Sequence, residues 1–307
     1  MTIGRLLRLA DDLVVGRLGY GAMQLPGPQV WGPPADPDTA LSVLRRAVEL
    51  GVTHIDTSDA YGPHVANDLI RQALHPYPDD LVIATKVGIT RDEWRSFNAA
   101  ARPEELREQV EENLTRLGLP RLDLVYLRVG GDGLLYPGET PFAESFAALA
   151  ELRDRGLIRH LGLSGVTVEQ LKEAREIAPV AAVQNRYHLL DRGGEEVLRA
   201  CEEQGVAFVP YFPLAAGLLK PGLDTSQLPP GLAPTAEQER TLDEVAARHG
   251  ASRPQVALAW LLARSPAVLA IPGTGSPAHL EENVAAADLR LTGEDRAQLD
   301  ALWGLVH

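Results

Sequence analysis

The sequence contains a single cysteine, Cys201, among 307 residues, so no disulfide can form within the chain. Its Cys and His residues show no spacing typical of a metal site. Positive charge is also scarce, since 29 Lys and Arg stand against 42 Asp and Glu and give a net charge of -13. Nucleic acid and anionic membranes repel an acidic surface, so neither is expected as a partner.

Long hydrophobic runs are missing as well. The first twelve residues are interrupted by Arg5, Arg8, Asp11 and Asp12, whereas a signal peptide needs a continuous apolar stretch. No segment has the roughly 20 apolar residues of a transmembrane helix. Together with the lone cysteine, these features predict a cytoplasmic protein.

Short β-branched apolar runs alternate with amphipathic stretches through most of the chain. This alternation is typical of βαβ units around a parallel sheet. Eight runs are predicted as strands, at 17–22, 53–57, 81–86, 123–128, 158–164, 181–185, 206–211 and 268–271. Eight such units without a polar linker favour a closed (β/α)8 TIM barrel that forms one domain over residues 1–307.

Helices and additional elements are predicted around this barrel. The helices between strands are expected at 38–50, 103–117, 141–155, 168–177 and 195–204. Gly51, Gly118, Gly156 and Gly205 suit left-handed caps at helix ends. The additional elements are a hairpin at 7–15, two helices after strand seven at 236–249 and 253–264, of which one is an insertion, and a last helix at 293–302.

Four ionisable side chains fall at or after the carboxyl ends of predicted strands two to four. They are Asp56, Tyr61, Lys86 and Arg128. In closed parallel barrels the reacting groups come from these strand ends and from the loops that follow them. We therefore expect all four around one mouth and interpret them as candidate catalytic residues.

Lys86 is informative because lysine is rare in this chain. Only three of the 29 Lys and Arg residues are lysines, at positions 86, 172 and 220. Lysine carries a compact charge, whereas arginine is bulky and always protonated. The rarity indicates that position 86 requires lysine. The alternative is a lysine at a strand end whose ammonium lies in solvent.

Several segments in order along the chain resemble the aldo-keto reductases. They are GVTHIDTSDAYG at 51–62, ATKV at 84–87, GLSGV at 162–166, VQN at 183–185, YFPL at 211–214, GLL at 217–219, IPGTGS at 271–276 and LEEN at 280–283. Within this family YGAMQ at 20–24, YGPH at 61–64 and AHL at 278–280 resemble the NADPH-dependent pyridoxal reductases of bacteria. The resemblance implies NADPH-dependent reduction of a small aldehyde or ketone, with pyridoxal as a candidate substrate.

The resemblance also implies a mechanism in which a hydride reaches the carbonyl carbon while Tyr61 protonates the oxygen. A free phenol has a pKa of about 10, so a cation that favours the phenolate helps such a group near neutral pH. Lys86 is the expected cation, and Asp56 is expected to keep it charged and oriented. The alternative for Tyr61 is a loop aromatic that packs over the barrel mouth.

Three further residues at the predicted substrate end remain open in role. Most relatives have histidine where this chain has Arg128, which keeps the positive charge but cannot exchange a proton near neutrality. We interpret Arg128 as positioning an anionic or phenolate-bearing substrate, and a structural ion pair is the alternative. His64 and Trp31 are assigned to the substrate pocket, with a loop histidine and a packing tryptophan as their alternatives.

The cofactor site is predicted from the resemblance. The segment GYGAMQ at 19–24 opens like a dinucleotide fingerprint, but it lacks the third glycine and no helix is predicted there, so a Rossmann site is rejected. Tyr211 is expected against the nicotinamide ring. Ser164 and Gln184 are expected at its carboxamide, unless the backbone satisfies both. The complete predicted set is Gly21, Ala22, Met23, Ser164, Gly165, Gln184, Tyr211, Phe212, Pro213, Leu214, Gly217, Gly273, Thr274, Gly275, His279, Glu282 and Asn283.

The adenosine end carries a second departure from the family. Gly273–Ser276 and the start of the following helix suit the phosphates, and Glu282 and Asn283 match the family's adenine contacts. Where many relatives bind the 2′-phosphate with Lys and Arg, this chain has Gly273 and His279. NADPH is predicted as the cofactor. The choice between NADPH and NADH depends on these two positions, whereas the use of a nicotinamide cofactor depends on the rest of the site.

Two rival functions remain open from the sequence. A Schiff-base aldolase also uses a lysine at a barrel strand end, so Lys86 alone fits it. A reductase-like NADPH sensor with slow turnover is compatible with Arg128 and with Gly165, where relatives often have Asn. The sequence leaves the oligomeric state undetermined and is compatible with a monomer.

Overall fold

The computed structural model describes residues 6–130, 138–219 and 233–305, and Lys220 therefore lies outside the described residues. An antiparallel hairpin comes first, with strands β1 (Leu6–Ala10) and β2 (Leu13–Gly16), as predicted. Buried Leu9, Leu13 and Val15 of this hairpin pack in one cluster with side chains of the barrel strands. The hairpin therefore closes one end of the barrel.

Seven parallel strands and one antiparallel strand form the main sheet. They are β3 (Tyr20–Gly21), β4 (His54–Asp56), β5 (Val82–Arg91), β6 (Phe97–Ala100), β7 (Leu122–Arg128), β8 (Ile158–Ser164), β9 (Ala182–Gln184) and β10 (Ala207–Phe208). The parallel strands follow the order β3-β4-β5-β7-β8-β9-β10. Strand β6 pairs with the extended end of β5 as a hairpin, which the sequence did not predict.

The predicted eighth strand, 268–271, closes the sheet through isolated backbone bridges. The Gly19 amide donates to the Ala270 carbonyl at 2.8 Å, and the Leu269 amide donates to the Phe208 carbonyl at 2.9 Å. This segment thus joins β10 to the start of β3. The (β/α)8 barrel is confirmed, although β3 and β10 are shorter than predicted.

Ten helices surround the barrel in the described part of the chain. They are α1 (Pro37–Glu49), α2 (Val65–Leu74), α3 (Pro103–Leu117), α4 (Phe142–Asp154), α5 (Val168–Ile177), α6 (Glu195–Gln204), α7 (Ala236–His249), α8 (Arg253–Arg264), α9 (Pro277–Ala285) and α10 (Gly293–Ala301). The four predicted cap glycines all have positive φ. None of these helices combines the length and apolar character needed to cross a membrane.

A single turn of 3-10 helix, Ala22–Gln24, follows Gly21, where the sequence predicted no helix. It is too short to act as the phosphate-binding helix of a Rossmann unit, whose long helix supplies aligned N–H groups. The rejection of a Rossmann site is therefore unaffected by this correction.

Two polar aromatic side chains fill the barrel interior beneath the strand ends. Tyr126 and His54 are both completely buried. A Cβ atom at Gly162 would lie 2.5 Å from the Tyr126 ring, and one at Gly19 would lie 2.9 Å from the His54 ring. The two glycines therefore make the space that these rings occupy. Burial lowers the pKa of His54 to about 4, so its ring is neutral at pH 7.

We expect Gly162→Ala to lower the free energy of unfolding by about 1–3 kcal/mol, because the new methyl group overpacks the Tyr126 ring. Gly293→Ala is the matched control, since no atom lies within 4 Å of its added Cβ. Denaturant unfolding of both variants measures the difference. Equal unfolding midpoints in the two variants would contradict this account of the barrel interior.

Candidate active site

Asp56, at the end of β4, forms a buried ion pair with Lys86, which lies midway along the neighbouring strand β5. The Lys86 ammonium donates to Asp56 Oδ1 at 2.5 Å and to the Thr57 carbonyl at 2.9 Å. Their side chains are only 2% and 3% exposed. A buried charge is tolerated when it is paired and hydrogen-bonded, and these contacts meet that condition for both side chains.

The second carboxylate oxygen of Asp56 is bound by a residue from the opposite side of the barrel. Gln184, at the end of β9, donates from Nε2 to Asp56 Oδ2 at 2.7 Å. The resemblance placed Gln184 at the nicotinamide carboxamide, and the structure adds this contact with Asp56. Both Asp56 oxygens are therefore fixed, which orients the carboxylate toward Lys86.

Tyr61 lies beside this pair, in the loop between β4 and α2. The Lys86 ammonium is 5.1 Å from the centre of the Tyr61 ring. The next residue, Gly62, has φ of 111°, and a Cβ there would lie 2.3 Å from the Val65 side chain. Only glycine fits this turn, and the turn directs Tyr61 into the barrel mouth.

A buried network of polar side chains supports the loop from below. Thr57 donates to Asn67 at 2.9 Å, and Asn67 donates to Asn113 at 2.9 Å. Thr85 also donates to Asn113, at 2.7 Å. These bonds tie α2 and α3 to the ends of β4 and β5, and so hold the Thr57 carbonyl that binds Lys86. No sequence pattern predicted these bonds, because each asparagine lies within an ordinary amphipathic helix.

Arg128, at the end of β7, lines the same cavity as Tyr61 and Lys86. Its guanidinium carbon lies 5.6 Å from the centre of the Phe97 ring. No carboxylate of the described residues lies within ion-pair distance of Arg128. The structural ion pair that the sequence left open is therefore not found in the described part of the chain.

The cavity has a volume of about 870 Å³ and extends from the ion pair to helix α9. This volume is in the upper range of ligand sites in proteins. Fifteen of the predicted cofactor residues line it, namely Gly21, Met23, Ser164, Gln184, Tyr211, Phe212, Pro213, Leu214, Gly217, Gly273, Thr274, Gly275, His279, Glu282 and Asn283. The catalytic candidates and the predicted cofactor residues thus share one cavity.

Two predicted cofactor residues, Ala22 and Gly165, are not among the residues that line the cavity. Ala22 is completely buried in the hydrophobic core. The Gly165 amide donates to the Gln184 carbonyl at 3.0 Å and to the Asn185 side chain at 3.1 Å. Gly165 therefore supports the strand end that carries Gln184.

The two predicted substrate-pocket residues also lie outside the cavity lining. His64 binds Asp59 at 2.8 Å, and this hydrogen bond raises the pKa of His64. His64 also lies 3.8 Å from Glu112, a residue of α3, and both contacts agree with the alternative, a loop histidine. Trp31 packs against the guanidinium groups of Arg91 and Arg95, at 5.2 and 5.8 Å. Trp31 thus forms an outer layer of the mouth.

The predicted phosphate segment, Gly273–Ser276, lies in the cavity wall, and sequence reasoning missed six other residues there, namely Gln24, Phe97, Ala216, Ser252, Pro254 and Ile271. One of them carried a recognisable signal. Ser252 opens α8 in a capping box with Gln255. Helix N-termini at a cavity wall indicate an anion site. Phe97 carried none, because its hairpin was not predicted.

The start of helix α9 is rigidly held at the far end of the cavity. The Ser276 amide donates to Thr274 Oγ1 at 3.0 Å, and the Tyr20 hydroxyl donates to the Thr274 carbonyl at 2.7 Å. The residues Gly273–Ser276 therefore present backbone to the cavity next to the positive end of a helix. Such an arrangement suits the phosphates of a dinucleotide.

Comparison with known proteins agrees with this geometry. A profile of the aldo/keto reductase family matches residues 17–304. The pyridoxine 4-dehydrogenase of Escherichia coli K12 is 50% identical over 289 residues, which cover 94% of this chain and 95% of that protein. The NADH-specific methylglyoxal reductase of the same organism is 29% identical, and the match covers 92% of this chain and 93% of that protein.

A solved structure shows the same fold with a nicotinamide cofactor. The aldo-keto reductase of Klebsiella pneumoniae in complex with NADPH has a TM-score of 0.77 and 28% identity, and the match covers 98% of this chain and 95% of that one. Fold, family match and relatives agree. The chain belongs to the aldo/keto reductase family and is an oxidoreductase.

Proposed function

We propose that this protein reduces a small aldehyde or ketone to the alcohol with NADPH, and that pyridoxal is its leading candidate substrate. The observation that carries the proposal is Tyr61 beside the buried Lys86–Asp56 pair, in a cavity with room for a dinucleotide. The name of the Escherichia coli relative, pyridoxine 4-dehydrogenase, supports the substrate. We also propose that residues 1–307 act as one cytoplasmic domain.

The residues of the ion pair have distinct tasks in this proposal. When bound, the reduced nicotinamide supplies the hydride that reaches the carbonyl carbon. Tyr61 donates its phenolic proton to the carbonyl oxygen, and Lys86 stabilises the negative charge that develops on the phenol. Asp56 forms an ion pair with Lys86, while Gln184 and the Thr57 carbonyl hold the pair in place. A preorganised charge of this kind needs no rearrangement during the reaction.

The cavity wall offers groups that fit each part of the cofactor. Tyr211 presents an aromatic face for the nicotinamide ring, with Ser164 and Gln184 near the carboxamide. The backbone at Gly273–Gly275 and the start of α9 would hold phosphate, and Glu282 and Asn283 would contact adenine. His279, in the first turn of α9, is the group we assign to the 2′-phosphate. The choice of NADPH over NADH rests on the family resemblance and on the NADPH bound by the Klebsiella pneumoniae relative.

The aldolase alternative has less support from the site. A Schiff base requires a neutral lysine amine as nucleophile. Lys86 Nζ instead donates hydrogen bonds to the Asp56 carboxylate and to the Thr57 carbonyl, and neither contact is to a group that would take up its proton readily. Borohydride treatment with a carbonyl substrate is therefore expected to leave Lys86 unmodified.

Turnover measurements with purified protein test the proposal. Pyridoxal, simple aldehydes and a ketone are supplied with NADPH or NADH, and oxidation of the cofactor is followed by absorbance. We expect kcat/KM for pyridoxal to be at least about tenfold higher with NADPH, a difference of about 1.4 kcal/mol. Equal values for the two cofactors would overturn the NADPH assignment. Tight NADPH binding without turnover of any carbonyl compound would favour the sensor.

A further inference from the structure

Two arginines contact one phenylalanine ring at the catalytic end of the cavity. The guanidinium carbon of Arg91 lies 4.0 Å from the centre of the Phe97 ring, and that of Arg128 lies 5.6 Å away. Arg91 ends β5, Phe97 begins β6 and Arg128 ends β7. We call these three residues the arginine corner. Phe97 and Arg128 line the cavity, and Arg91 lies behind them.

No described acidic side chain forms an ion pair with an arginine of the arginine corner, although the carboxylate of the adjacent Asp92 acts on Arg91 from a longer distance. No ion pair is found for either arginine within residues 6–130, 138–219 and 233–305. Arg91 makes one long hydrogen bond, 3.4 Å to the Val30 carbonyl, and its buried Nε atom has no partner. Burial lowers the pKa of Arg91, because desolvation disfavours the charged form.

Elsewhere in the cavity wall the charges are balanced or distant. Lys86 is neutralised by Asp56 at 2.5 Å, so this pair contributes no net charge. Glu282 lies at the α9 end, in the region we assign to adenine. Among the residues that the structure describes, the part of the cavity nearest to Tyr61 therefore has one charge without an ion-pair partner in its wall, Arg128, and a second one, Arg91, behind it.

We propose that the arginine corner binds an anionic oxygen substituent of the carbonyl substrate. The inference rests on the proposed function and names its substrate class: aldehydes that carry a carboxylate, phenolate or phosphate group. Arg128 contacts the anion directly through its planar N–H groups, and Arg91 adds charge from behind. The Phe97 ring excludes water from one side of both guanidinium groups, which strengthens their attraction for an anion.

The test compares two aldehydes of nearly the same shape that differ in charge. They are para-carboxybenzaldehyde, an anion at neutral pH, and its uncharged methyl ester. We expect the wild-type protein to have the higher kcat/KM for the anion. Arg128→Gln should lower the ratio of kcat/KM for the anion to kcat/KM for the ester by about 30-fold, the size expected for one lost charged hydrogen bond. Arg128→Lys should restore part of the preference.

Arg95→Gln is the matched control. Arg95 is exposed in the loop between β5 and β6 and contacts the outer face of Trp31. Its substitution removes the same charge from the same side of the barrel, and we expect both rate constants to change by less than about twofold. A large loss for the anion in this control would mean that general electrostatic attraction, not the arginine corner, selects the substrate.

Two outcomes would overturn the arginine corner as the anion site. One is that Arg128→Gln lowers kcat/KM by the same factor for both aldehydes. The other is that the wild-type protein has equal kcat/KM for the anion and for the ester. A second measurement separates this failure from failure of the proposed function. Calorimetric binding of para-carboxybenzyl alcohol to the NADPH-loaded protein should weaken about 30-fold in Arg128→Gln, whether or not the protein turns over aldehydes. Unchanged binding would also overturn the proposal.

Discussion

Tyr61→Phe is expected to lower kcat for carbonyl reduction by about a thousandfold, because it removes the proposed general acid. The phenyl ring keeps the shape of the side chain, which is only 6% exposed, and it keeps the packing against the Lys86 ammonium. Binding of NADPH should therefore change little. Steady-state kinetics measure the first effect, and quenching of protein fluorescence on addition of NADPH measures the second.

Tyr77→Phe serves as the control for the loss of a hydroxyl group. The Tyr77 hydroxyl donates to the Leu117 carbonyl at 2.7 Å, away from the cavity wall. This variant should keep kcat within about twofold of the wild type while it loses up to about 1.5 kcal/mol of stability. If Tyr61→Phe retained more than about a tenth of the wild-type kcat, another group would have to be the acid.

Lys86→Met is expected to lower kcat by about a hundredfold to a thousandfold, since the charge that stabilises the developing phenolate is lost. It should also destabilise the fold by about 3–5 kcal/mol, because the Asp56 carboxylate remains buried without its partner. Stopped-flow or steady-state assays measure the rate, and chemical denaturation measures the stability. Lys172→Met is the control, since Lys172 is exposed on α5.

A double substitution separates the two effects of Lys86. In Lys86→Met with Asp56→Asn the unpaired charge is gone, so much of the lost stability should return. Activity should stay low, because no cation faces Tyr61. If activity recovered together with stability, Lys86 would act only through the fold, and its proposed electrostatic role would be wrong.

Most of the fold could be predicted from the sequence, because the signals are local. Helices α3, α5, α6, α7 and α8 begin and end at the predicted residues. Helix caps depend on a few neighbouring residues, such as the Ser252 and Gln255 capping box or a glycine with positive φ. Strand ends were less well predicted, because pairing in the barrel decides which residues bond. Strand β10 thus keeps only Ala207–Phe208 of its predicted six residues.

The sequence was enough to predict which residues lie at the candidate site. It was not enough to predict which of them contact one another. The rule that reacting groups follow barrel strands brought Asp56, Lys86 and Arg128 to one mouth without coordinates. The contact between Gln184 and Asp56 joins residues 128 positions apart, and no local pattern reports it. Phe97 reached the cavity wall through a hairpin whose strand β6 is half exposed and weakly patterned.

The sequence by itself therefore determined the barrel, the family and the identity of the groups at its mouth, since periodicity, helix caps and residue order are properties of neighbouring residues. Only the tertiary structure decided what each group touches. Closure of the sheet placed Arg128 and Arg91 against one Phe97 ring and left both without an acidic partner among the described residues. Such neighbours are distant in sequence, so the charge balance of the site exists only once the barrel is closed.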